Sequence, residues 1–139
     1  MEAHPSIVAP YGAPPDPTWA ERPPAVRWLR WLVTVRGTIA MAARATTPLE
    51  ISATNQGPEV VRPERGRLRL LVNGAPSPAF DLAFNNGVME PEWIALPPGR
   101  MVRDTRTLLE ALLPAPGEYL LVLEWDGHRV AGRSVTVTP

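Results

Sequence analysis

The acidic pair in Met89-Glu90-Pro91-Glu92-Trp93 has a spacing that sets two carboxyls on one face of a strand. Glycoside hydrolysis needs two such groups converging about 5–10 Å apart across a cleft. Pro91 instead puts this pair on a loop or a sheet edge, where two solvated acids are expected. The two histidines, His4 and His128, stand far apart in the chain and offer no imidazole cluster to a metal. Cysteine is absent, which excludes disulfides, thiolate zinc sites and a Cys nucleophile. Ser52, Ser77 and Ser134 have no neighbouring base in sequence, and Asp104 and Asp126 are isolated. No nucleophile elbow, phosphate-binding glycine loop, dinucleotide fingerprint or calcium loop is present. These residues predict a protein that is not an enzyme and takes neither cofactor nor metal.

Charge narrows the partners. Fourteen basic residues, every one an arginine, balance fourteen carboxylates. Arginine suits planar, bidentate contacts at protein interfaces. The densest basic run, Arg62, Arg65, Arg67 and Arg69, has Glu64 inside it and Glu59 just before it, and a second, Arg100, Arg103 and Arg106, includes Asp104. No aromatic side chain interleaves either run, so salt-bridged surface is expected and nucleic acid is not. The longest apolar candidate, Trp28 to Met41, is interrupted by Arg30, Arg36 and Gly37 and falls short of a membrane span. Met1 to Pro5 lacks the basic start and apolar run of a secretory signal, so a cytoplasmic protein or a part of an assembled particle is expected.

A chain of 139 residues can bury one sizeable core without disulfide or metal. Residues 1–25 hold seven prolines and read as an extended, proline-rich arm; residues 26–139 read as a single domain. From Ala25 the pattern has period two. Leu29, Trp31, Val33 and Val35 share one side of a long strand, with Arg30, Thr34 and Arg36 on the other, and a bend is expected near Gly37. Further strands are predicted at 49–54, 67–72, 80–84, 93–96 and 101–105, punctuated by Asn55-Gln56-Gly57-Pro58, Asn73-Gly74 and Pro97-Pro98-Gly99. Thr107 to Leu113 fits a short helix better than a strand, because Leu and Ala favour the helix.

The last unit reads as a hairpin, 118–125 and 128–138, turning at Asp126-Gly127. A two-residue turn sets Glu124 opposite Arg129 and Leu123 opposite Val130. That register, continued, puts Val135 and Val137 on the wrong face, so a bulge is predicted near Gly132. The segment Pro114-Ala115-Pro116-Gly117-Glu118-Tyr119 leading into this hairpin resembles the approach to the penultimate strand in immunoglobulin-like and fibronectin III-like sandwiches. The resemblance covers residues 45–138 and implies that the Tyr119 hydroxyl bonds back to the chain a few residues upstream. Without inter-sheet cysteines, Trp93 or Trp31 is expected to supply the buried indole.

The fold predicted is all-β: an immunoglobulin-like sandwich of seven to nine antiparallel strands with an N-terminal arm. Five tryptophans are many for this length, and Trp19 in the arm and Trp28 on the outer face of its strand suit an interface. The function expected is protein–protein interaction within an oligomer or larger complex, such as a virion decoration or tail component. Ile7, Tyr11, Trp19 and Trp28 are its partner-binding residues. One alternative is an inhibitor or regulator presenting Asn85–Trp93 or Pro97–Arg106 to an enzyme; another is a carbohydrate-binding module.

Overall fold

The computed structural model describes residues 24–85 and 89–139. A helical turn, α1 (Pro24–Trp28), leads into β1 (Leu29–Thr34) and β2 (Thr38–Ala40), and β3 (Leu49–Asn55) follows. Next come β4 (Leu68–Val72), β5 (Ala75–Pro76), α2 (Pro78–Phe84), β6 (Met101–Arg106), α3 (Leu109–Leu112), β7 (Gly117–Trp125) and β8 (His128–Thr138). Two sheets form, ordered β1-β3-β6 and β2-β8-β7-β4-β5. Every strand pairing is antiparallel except β2 on β8, which is parallel. The result is an immunoglobulin-like β-sandwich. No helix among the described residues is long and apolar enough to cross a membrane.

The bend expected near Gly37 is the point where the chain changes sheets. Val33 and Val35 are buried before it and Ile39 after it, while Arg36, Gly37 and Thr38 are exposed. The Thr136 amide donates to the Gly37 carbonyl at 2.8 Å, which starts the parallel ladder of β2 on β8. One amphipathic segment thus edges both layers.

Both two-residue turns are as their sequences demand. Asn73-Gly74 and Asp126-Gly127 have positive φ at both positions (50° and 85°, 51° and 83°), the geometry that matches strand twist. The bulge in the last hairpin lies two residues earlier than expected. Leu123 pairs with Ala131 and Glu124 with Arg129, so Val130 is the extra residue and Leu123 does not face it. Placing the bulge there buries Val130 and Ala131 together and still returns Val135 and Val137 to the core.

Two predicted strands are not strands. Residues 80–84 belong to α2, where the Ser77 hydroxyl accepts from the Phe80 amide and Pro78 opens the first turn. Phe80 and Phe84, four apart, stack at 4.2 Å on the buried face, and Leu82 points to solvent, which a strand would not allow. Residues 93–96 follow a 3-10 turn, Pro91–Trp93, that buries Trp93 and Leu96 and exposes Ile94 and Ala95. Leu96 makes a single antiparallel bridge to Val61.

Three indoles cross the sandwich. Trp31 comes from β1, Trp125 from β7 and Trp93 from the 3-10 turn; Trp31 lies 6.2 Å from Trp93 and 6.1 Å from Trp125 between ring centroids. The Trp125 indole N–H donates to the Pro63 carbonyl. At the corner before β7 the Tyr119 hydroxyl donates to the Ala115 carbonyl at 2.7 Å and accepts from its amide at 3.2 Å, as the resemblance implied. Trp31→Ala is expected to cost about 3–5 kcal/mol in urea unfolding. Tyr119→Phe, which forfeits two hydrogen bonds and no packing, should cost about 1–2 kcal/mol.

Candidate partner-binding surface

Of the residues expected to bind a partner, Ile7, Tyr11 and Trp19 lie outside the described residues, as does His4. Trp28 ends α1 and precedes the first strand, so it is not on the outer face of a strand. Its ring is half-buried against the turn that follows β3: a Cβ on Gly57 would collide with Trp28 Cβ, Cγ and Cδ2. The Trp28 carbonyl also accepts from the Gln56 amide at 2.8 Å. Trp28 therefore fastens the start of the domain to the Asn55–Pro58 turn and keeps part of its indole in solvent.

The same turn is knotted by Asn55, which is fully buried. Its side-chain amide donates to the carbonyls of Glu59 at 2.7 Å and Leu96 at 2.9 Å, and its carbonyl oxygen accepts from the Gly57 amide. Its backbone exchanges bonds with Arg100 and Gly99. Two connections, β3 to β4 and α2 to β6, thus meet on one side chain at the end of the β1-β3-β6 sheet.

The arginine runs divide among local partners. Arg67 pairs with Glu64 and Asp126, Arg69 with Asp81, Arg62 with Glu64 and Arg103 with Glu50. Asp104, expected to be isolated, is the centre of a triad with the buried Arg65 and the half-buried Arg106. Arg65 Nη1 donates to it at 2.6 Å and Arg106 Nε at 2.7 Å, and the Arg106 guanidinium lies 5.3 Å from the Phe84 ring centroid. The hydrogen bond that Arg106 donates to Asp104 raises the Arg106 pKa above the ordinary arginine value against the opposing effect of burial, and the charges of Asp104 and Glu90 add to the rise. Parity along β6 carries the missed signal: Val102 faces inward, so Asp104 must as well, and a buried carboxylate requires a partner.

The remaining candidates for chemistry serve the fold or face solvent. Ser77 caps α2, Ser134 and Glu90 are exposed, and Glu92 and His128 are half-buried. Residues 101–106, offered above as part of a presenting loop, are an edge strand bonded to β3.

The outer face of the β1-β3-β6 sheet has a distinct relief. Register aligns Arg30, Thr54 and Met101 in one row, Leu32, Ser52 and Arg103 in the next, and Thr34, Glu50 and Thr105 in the third. The flanking strands carry exposed side chains, including Leu32 at 41% and Met101 at 48%, while Ser52 on the central strand is 2% exposed. The longer side chains of β1 and β6 thus cover Ser52, and the face is closed over at its middle. In the third row Glu50 accepts from the Thr105 hydroxyl at 3.3 Å, with Arg103 Nη1 at 3.9 Å.

No protein-family model and no curated protein matches the chain. Among solved structures, the CARDB domain of the PF1109 protein from Pyrococcus furiosus is similar at 15% identity, with 80% of this chain and 94% of that chain covered and a TM-score of 0.48. An immunoglobulin-like protein from Pseudomonas aeruginosa is 14% identical over 78% of this chain and 91% of that one, with a TM-score of 0.36. The alkylpurine DNA glycosylase AlkC of Pseudomonas fluorescens, bound to DNA with an abasic-site analogue, is 12% identical over 81% of this chain but only 31% of its own, with a TM-score of 0.46.

Asp104→Asn leaves the buried Arg65 guanidinium without its counter-charge and should cost about 3–5 kcal/mol by urea denaturation. Gly57→Ala forces the Trp28 ring off its seat and should cost about 1–3 kcal/mol in the same assay.

Proposed function

We propose that this chain is a non-catalytic protein-binding module whose N-terminal segment engages a neighbouring subunit or partner protein through Ile7, Tyr11 and Trp19, with Trp28 at its root. The observation that carries the reading is the division of labour among the described side chains. Groups able to do chemistry are committed to holding the fold: Asp104 to two arginines, Asn55 to two connections, Ser77 to a helix cap and Tyr119 to a corner. Large apolar side chains, among them Leu32, Val60, Met101 and Leu120, are left at the surface. Trp28 couples the two parts, because its half-buried ring fixes where the segment joins the sandwich. A rigid sandwich that anchors a proline-rich tail loses little entropy on binding, which suits assembly into a larger particle.

Trp19→Ala is expected to weaken association at least tenfold in sedimentation velocity while leaving the urea midpoint of the chain unchanged. A large loss of stability would instead make Trp19 an internal strut and remove it from the binding surface.

A further inference from the structure

We propose that the free edge of β6 docks an extended, acidic segment of a partner protein, which adds to the β1-β3-β6 sheet as a fourth strand. This site is separate from the N-terminal segment discussed above.

Hydrogen-bond parity opens the edge. The Asn55 amide donates to the Arg100 carbonyl at 2.9 Å, so every second residue from there, Val102, Asp104 and Arg106, bonds to β3 at Ala53, Ile51 and Leu49. Met101, Arg103 and Thr105 turn their amides and carbonyls the other way, where they meet no backbone partner among the described residues. Such groups would be paired if they were buried. All three residues are exposed. Three donors and three acceptors thus line about 14 Å of edge, the pattern that an added strand completes.

The other edges are blunted. Strands β2 and β5 have three and two residues, and Pro76 in β5 has no amide to donate. Strand β1 is as long as β6, but its outward-bonding residues, Leu29, Trp31 and Val33, are buried, and β8 packs beside it.

Charge selects the occupant. Arg100, Arg103 and Arg106 fall within seven residues that hold one acid, Asp104. Asp104 is committed to Arg65 and Arg106, whereas Arg103 has Glu50 at 3.9 Å and a side chain that is 62% exposed. A second copy, paired antiparallel through all three edge residues, would set Arg103 against the other copy's Arg103, and like charges on opposed strands repel. An acid facing Arg103 also needs free amides two residues to either side of it. In the N-terminal segment Asp16 and Glu21 have prolines there, Pro14 and Pro23. The matching occupant is a strand of another protein with a carboxylate opposite Arg103 and β-branched or apolar residues opposite Thr105 and Met101.

The test is an NMR titration of the isotope-labelled full-length chain with the peptide acetyl-Ser-Val-Thr-Glu-Thr-Val-Ser-amide, whose Glu faces Arg103 in the antiparallel register. The amide signals of Met101, Arg103 and Thr105 should shift and their hydrogen exchange should slow, while Val102 and Asp104, already bonded to β3, should keep their exchange rates. The same peptide with Lys in place of Glu should bind about fivefold more weakly, and Arg103→Glu should reverse that order. Arg103→Gln, expected to erase the preference, takes its place should Arg103→Glu lose its native circular dichroism. The proposal is overturned if neither peptide moves the three amides at millimolar concentration, if the Lys peptide binds as well as the Glu peptide, or if methylating the backbone nitrogen of the Glu leaves binding unchanged. Protection of the three amides that grows with the concentration of the native chain alone assigns the edge to a second copy and overturns the partner strand.

Discussion

The structure depends on joining two sheets that no disulfide connects. Trp31 reaches inward from one sheet, Trp125 from the other, and Trp93 packs on Trp31 from a connection that belongs to neither. Each indole buries about 150–250 Å², and the packing of the three joins both sheets to the connection that carries Trp93. The arrangement also explains why a 3-10 turn replaces an expected strand. A strand through residues 93–96 would alternate its side chains, whereas the turn delivers Trp93 and Leu96 to the same core.

Around that layer the irregular parts are tied by polar groups. The connection between β3 and β4 carries no strand of its own, yet it is bonded at Val61 to Leu96, at Pro63 to Trp125, at Glu64 to Trp93 and at Arg65 to Asp104. A buried ion pair stabilises little relative to an apolar substitute, since desolvation offsets most of its attraction. Its effect is directional: only one placement of the connection brings Arg65 and Arg106 to both oxygens of Asp104.

The outer face of the three-stranded sheet shows how the same alternation that builds the core also shapes a surface. Leu49, Ile51 and Ala53 face inward on β3, which leaves Glu50, Ser52 and Thr54 outward between bulkier neighbours.

Local preference by itself determined much of the fold. Period-two alternation marked β1, β3, β4, β6, β7 and β8, glycine after Asn or Asp marked two hairpins, and Pro-Gly-x-Tyr marked the corner at Tyr119. These features are legible because each follows from the steric preferences of adjacent residues. Tertiary structure decided the rest. Phe80 and Phe84 satisfy a strand period and a helix period alike, and the Ser77 cap with a buried face for both rings resolved them as helix. The bulge moved to Val130 because the core had room for two consecutive side chains there. Trp28 turned from an outward indole into a half-buried anchor because Gly57, distant in sequence, leaves space for it. The Arg65–Asp104 pair spans 39 positions, so it does not exist until the chain has closed on itself.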